Sequence, residues 1–358
     1  MTRKVRLPLL PNLPVTRRIG SDLIAVTTSD DPTLGEIAKT EGFPDLINSF
    51  TDAFKVHVRP GVMVIDNAKV PPRTGSAIAF RNILALASIP RAWSKNAGRK
   101  QWTEVLLYSD YFQMYPYQLA KNGLLAAQNA AGRIINEAKD HIGQMTPALF
   151  RARDLDDFYD IELFDALLGK WNDRFASLTP DRSRESAKLF RSLEMAYRAS
   201  AMPDSNQGSI DDFGAQLALW VSACEILAHD GQIANKSSVL QQLLKSCQFD
   251  DPRLNRCDYE IGPKKSVATL IQALYFEMDR ARHDFLHGND VALKSLLVWP
   301  DKVSPALPSA APLIYKAALL TYLGCWDRRQ PLAHSSITTN ERAERGYYEN
   351  ALRELRPI

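Results

Sequence analysis

Helical periodicity governs the second half of this chain. From about residue 155 onward, apolar residues return every three or four positions in one segment after another. Stripes of that kind must be buried against one another. Residues 158–175 carry apolar side chains at 161, 164, 167, 168, 171 and 175. Residues 186–198 repeat the pattern with Ala187, Phe190, Leu193 and Tyr197. Asp211 and Asp212 open a helix over 213–228, where acidic residues suit an N-terminus. Further helices are predicted over 237–246, 266–287, 310–323 and 340–355, with Gly288 stopping the long one. The expected architecture is mainly α: an antiparallel helical bundle over 155–358.

The first 150 residues read differently. Residues 22–28 and 56–66 have strand-like β-branched content, with Pro60-Gly61 marking a turn. A helix is predicted over 33–54, and another over 77–86 with Ser76 as its cap. Residues 105–108 could be a strand. The stretch 111–117, YFQMYPY, could line a groove or pack locally around Pro116. A chain of 358 residues exceeds one ordinary core, so a bundle over 155–358 is expected beside a mixed α/β region over 1–150, which is either a separate domain or an elaboration wrapped against the bundle.

Composition limits the function classes. Hydrophobic residues make up 45% and charged residues 24%, as in a globular chain. The net charge of +3 neither demands nor excludes a nucleic-acid partner, which would need a local basic patch. Arg3, Lys4, Arg6, Arg17, Arg18, Lys264, Lys265, Arg280 and Arg282 are the basic residues available for one. Cys224, Cys247, Cys257 and Cys325 form no C-x-x-C pair, so a reducing compartment fits. The start, MTRKVRLPLLPNLPVTRR, is basic, but prolines break its apolar run. No signal peptide or membrane span is expected, and the default is a cytoplasmic protein. No G-x-x-x-x-G-K-[ST], G-x-G-x-x-G or H-E-x-x-H motif occurs. His57, His141, His229 and His334 do not cluster in sequence. The acidic run at 154–160 reads as a solvated helix start. No metal and no cofactor is expected.

The segment SVATLIQALYFEMDRARHDFLHGN, residues 266–289, carries the chemistry. Val267, Leu270, Ile271, Leu274, Met278, Ala281 and Phe285 are expected to face a core. Arg282 falls about 20° from Ile271 on a helical wheel. A guanidinium so close to an apolar face needs a partner. Arg282 and His287 are separated by four residues, and His283 follows the arginine. The upstream helix FGAQLALWVSACEILAH contains Trp220, Glu225 and Leu227.

This arrangement resembles the HEPN superfamily, whose motif runs Arg, four to six residues, His. The ending FLHG resembles its Apea-like branch, and the upstream helix is similar to the family's Trp-x4-Glu-x-Leu helix. The likeness covers roughly 155–358. A second copy of the spacing, Arg329 to His334, is broken by Pro331. The resemblance implies a metal-independent endoribonuclease, a hydrolase of stress or phage defence, that binds RNA and works as a homodimer. His287 would move the protons of a ribose 2′-hydroxyl or of the leaving oxygen. Arg282 would neutralise the scissile phosphate. Glu225 reads as an Arg282 partner. Arg280 lies near the His287 face as a second phosphate contact, and Asp284 could orient the imidazole.

Five helical positions rotate by about 140°, so Arg282 and His287 should not point together unless the last turn unwinds or a second copy supplies one of them. Other readings stay open. Arg282 could tie two helices together, His287 could be a cation at a helix end, and His283 could face solvent. The whole bundle could be a non-catalytic binding module, or serve an N-terminal groove lined by YFQMYPY.

Overall fold

The computed structural model describes residues 5–357 apart from 14, 52–55, 58, 67–68, 71–73, 98–111, 120–124, 128–157, 203–208, 230–235, 290, 301–303 and 329–336. The chain is mainly helical, with a small antiparallel sheet in its N-terminal region. It divides into two compact units. The first comprises Met1–Leu84, Leu106–Phe158 and Leu168–Asp181, the second Ala85–Val105, Tyr159–Leu167 and Arg182–Ile358. A single boundary near 150 therefore does not describe the chain, because 85–105 and 159–167 group with the C-terminal helices. Residues 105–108 and 154–157 of the sequence expectations lie outside the described residues, as do Arg3, Lys4, Arg329 and His334.

The first unit holds a six-stranded antiparallel sheet. Its strands are β1 (Val5–Leu10), β2 (Ile19–Gly20), β3 (Ile24–Thr27), β4 (Gly61–Ile65), β5 (Tyr115–Leu119) and β6 (Leu125–Ala127), in the order β2-β3-β4-β1-β5-β6. β1 comes from the basic, proline-broken start, which gave no strand signal. It survives its proline because the register sets Pro8 opposite Pro116 of β5. Two missing donors then fall at one point of the ladder rather than two. Tyr115–Leu119 is an interior strand of this sheet, and Phe112 just before it is buried.

The single helix expected over 33–54 is instead a 3-10 turn, Pro32–Leu34, and a short helix, α1 (Phe43–Asn48). Gly35 and Gly42 cause the break, with φ of 48° and 84°. Leu7, Leu9, Leu34, Phe43, Leu46, Phe50 and Val62 form the core beside the sheet. Helix α2 (Thr74–Ala97) is far longer than the 77–86 expected. Ser76 is not its cap but lies buried inside it, and its carbonyl accepts from the Trp171 indole at 2.9 Å.

The second unit gathers α3 (Ile161–Trp171, whose last turn counts to the first unit), α4 (Arg184–Ser200), α5 (Ile210–Ala228), α6 (Lys236–Lys245), α7 (Leu270–Leu286), α8 (Leu307–Tyr322), α9 (Cys325–Arg328) and α10 (Thr339–Glu354). Helix α5 is central: it packs against α4, α6, α7 and α8. Ser209 caps it through a reciprocal capping box with Asp212. Trp220 of α5 meets Tyr315 of α8 at 5.5 Å between ring centroids. The buried Ser192 hydroxyl lies 2.8 Å from the Tyr315 hydroxyl and bonds to the Ala223 carbonyl. Among the described residues, no helix is long and apolar enough to cross a membrane.

The long helix expected over 266–287 starts later. Ser266–Ala268 is a strand, β8, paired with β7 (Tyr259–Ile261), so Val267 is exposed instead of facing a core. Lys265, with φ of 48°, takes the turn between them.

A charge cluster sits deep in this unit. Lys316 of α8 is 1% exposed. Its ammonium contacts Asp160 at 2.8 Å and Glu344 of α10 at 2.9 Å, and lies 4.6 Å from the centroid of the Tyr348 ring. Glu344 also accepts from Arg91 of α2. Asp160 starts α3 by accepting the Leu163 amide. Burial alone would pull the lysine pKa down, but the two carboxylates outweigh it and hold it above its ordinary value. A lysine pKa raised on folding contributes stability in full below the ordinary value of about 10.4 and loses it as pH climbs through the raised one. Lys316→Met would take the shared cation from two buried carboxylates, leaving Glu344 only Arg91, and is expected to cost about 3–5 kcal/mol of unfolding free energy. Urea denaturation should show that deficit undiminished from pH 7 to about 10; a variant as stable as the parent at pH 7 contradicts this account.

Candidate functional site

The site expected from sequence lies where α7 crosses α5. Thr269 and Gln272 form a capping box at the start of α7. Leu270, Ile271, Ala273, Leu274, Tyr275, Met278 and Ala281 are buried along it. The two helices run antiparallel: Gly214 near the start of α5 meets Phe285 near the end of α7, while Cys224 and Glu225 lie beside Tyr275. The approach at Gly214 is close. A β-carbon there would fall 2.2 Å from the Phe285 ring.

Arg282 projects into this crossing. Its guanidinium contacts Glu225 of α5 at 3.2 Å and Asp279, one turn back on α7, at 2.8 Å. The side chain is about one-fifth exposed. Asp279 also accepts from the Ser237 hydroxyl of α6 at 3.4 Å. Tyr275 lies buried below, and its hydroxyl pKa is raised, chiefly by burial and then by Asp279, Cys224 and Glu225, with Arg282 opposing. Burial likewise pushes the Cys224 thiol well above its ordinary range, so it is an inert core residue. One cation faces two carboxylates here. An incoming phosphate would have to displace at least one of them to reach Arg282.

The last turn of α7 does not unwind. Gly288 takes φ of 70°, its amide bonds to the Phe285 carbonyl at 3.5 Å, and the Asn289 amide bonds to the Asp284 carbonyl at 3.1 Å. That pair of bonds is the Schellman arrangement. The helix stays regular through Leu286, and His287 is its C-terminal cap. Arg282 and His287 therefore diverge within one chain, and no hydrogen bond joins them. Instead His287 packs on His283, one turn earlier, with ring centroids 4.1 Å apart and planes inclined by 48°. Both imidazoles are exposed.

The supporting residues are also placed. Arg280 contacts Glu277 at 2.9 Å and Asp284 at 3.2 Å. The second Asp284 oxygen accepts from the Asn289 side chain at 3.0 Å. Asp284 is thus committed to Arg280, four residues before it, and to Asn289, and makes no hydrogen bond to His287. Sequence reasoning missed Asp279 as the second carboxylate on Arg282, although its i−3 spacing signals it. It also missed the His283–His287 contact, whose i+4 spacing is visible in RHDFLH. Among the described residues, no group of three or more His, Cys, Asp or Glu side chains is placed to hold a metal ion.

No protein-family model matches the chain, and no curated protein or solved structure is significantly similar to it.

The α5–α7 crossing depends on the absence of a side chain at 214. Gly214→Ala forces the Phe285 ring away and is expected to cost about 1–3 kcal/mol, with amide shifts over 282–289 in a two-dimensional NMR spectrum. An unperturbed spectrum in this stretch would show that the close approach does not hold the helix end in place.

Proposed function

We propose that the chain is a metal-independent endoribonuclease of HEPN type, cytoplasmic and homodimeric, possessing one cleavage motif per copy in its helical C-terminal region. The observation that carries this reading is the end of α7, where a capped helix presents two adjacent exposed imidazoles beside an arginine held by two carboxylates. The R-x4-H spacing and the Glu225 helix add the family resemblance.

In the reaction, one imidazole takes the proton of a ribose 2′-hydroxyl. That oxygen bonds to the adjacent phosphorus, and the bond to the 5′-oxygen breaks. A protonated imidazole returns a proton to the leaving oxygen. No water or metal enters this step, and the product ends are a cyclic phosphate and a 5′-hydroxyl. Because the helix turns Arg282 away from His287, His287 of one copy works with Arg282 of the other across a two-fold axis. A role in stress response or phage defence follows from the resemblance alone.

A second reading has one observation in its favour. Arg282 is already neutralised by Glu225 and Asp279, as in a helix-to-helix tie. On that reading the region is a non-catalytic module that binds a protein or nucleic acid.

The two readings differ in a cleavage assay run in EDTA beside a thermal melt. For the nuclease, His287→Ala should lower cleavage by about 10²-fold or more with the melting temperature unchanged. Arg282→Ala should lower cleavage and also stability, by about 1–3 kcal/mol, since it leaves two partly buried carboxylates facing each other. Cleavage that requires Mg²⁺, or that survives His287→Ala, overturns the proposal; a folded parent that cleaves no RNA does so in favour of the binding module.

A further inference from the structure

The His283–His287 pair has a chemistry that RNA cleavage does not use. Two histidines four residues apart on one helix face are the spacing by which helices present a pair of nitrogen ligands to one ion. We propose that His283 and His287 form a bidentate site for a borderline transition-metal cation of the Zn²⁺, Ni²⁺ or Cu²⁺ class. The inference shares His287 with the nuclease reading but does not depend on it: an ion held there would occupy the imidazole that moves protons, so metal binding and cleavage are tested separately.

Four features of the site argue for this. The rings already touch, with centroids 4.1 Å apart, so both nitrogens can be brought to one point. Nitrogen ligands lie about 2.0–2.1 Å from such an ion, which places the centroids of two rings sharing it about 5 Å apart. Opening the pair by about an ångström is a small side-chain rotation for exposed imidazoles. The backbone beneath them is held by the Schellman bonds at Gly288 and Asn289, and the His287 amide bonds to the His283 carbonyl at 3.1 Å. The backbone positions of both ligands are therefore fixed before an ion arrives, and only the side chains need to turn.

Competition from neighbouring groups is slight. Asp284, the nearest carboxylate in sequence, is taken by Arg280 and Asn289. Arg282 is neutralised by Glu225 and Asp279, so no unpaired guanidinium repels a cation here. With two imidazoles and no carboxylate, the site favours nitrogen-seeking metals over Mg²⁺ or Ca²⁺, which require oxygen ligands. Solvent supplies the remaining positions, leaving the ion open to an added ligand.

The test is equilibrium dialysis of the full chain, without an affinity tag, against Ni²⁺ alone at pH 7.5. His283→Ala and His287→Ala serve as the comparison, because His57, His141, His229 and His334 remain in all three proteins. The parent should bind one more Ni²⁺ per chain than either variant, at an affinity about tenfold or more above that of a single imidazole, since the second ligand is delivered at high effective concentration. Removing both histidines should cost no more than removing one. With Cu²⁺, the electron paramagnetic resonance spectrum should show coupling to two nitrogens in the parent and to at most one in each variant. Excess Mg²⁺ should not displace the ion. Equal binding by parent and both variants, all folded by circular dichroism, overturns the proposal, as does displacement by Mg²⁺.

Discussion

An ammonium group buried among helices is the constraint on which the second unit depends. Lys316 sits where α8, α10 and the start of α3 meet, and it must be charged for Asp160 and Glu344 to be buried with it. Each member satisfies another: Asp160 caps α3, Glu344 takes Arg91 of α2, and the Tyr348 ring lies near the ammonium. A network of this sort contributes less net stability than well-packed apolar residues would, but losing one member is costly. It specifies which helices meet, and at which turn, and so holds α8 in place against α5, the helix that supports the candidate site.

At that site, the two groups singled out by spacing have different surroundings. Arg282 points inward to two carboxylates, and His287 points outward onto a second imidazole. The regular helix between them makes that divergence unavoidable, since five residues carry a side chain more than a third of the way around. Within one copy the two groups are therefore engaged with different partners. Chemistry that uses the imidazoles alone needs only one copy.

Much of the helical part was legible because period 3.6 is a strong signal when long segments each bury one face. The helices at 210–228 and 307–322 depart from expectation only at their ends. The failures have local causes. Positive φ at Gly35 and Gly42 interrupts what reads as one helix. The strand Ser266–Ala268 abuts α7 so closely that its Val267 falls in register with the helical stripe. β1 was hidden by Pro8, which reads as a breaker until Pro116 is known to lie across from it. At the candidate site, the inward turn of Arg282 was readable from its place on the apolar face. The commitment of Asp284 to Arg280 and Asn289 was not, because an acidic residue can reach several neighbours on a helix and only the fold selects among them.

The ion cluster around Lys316 also bears on how the chain is made. Arg91 and Glu344 are 253 positions apart. A ribosome emits α2 and the Asp160 cap long before α8 and α10 exist to receive them. Until α8 and α10 have been made, Arg91 and Asp160 have neither Glu344 nor Lys316 to meet, and burying them is costly. Close packing around this cluster therefore requires that α8 and α10 have been made.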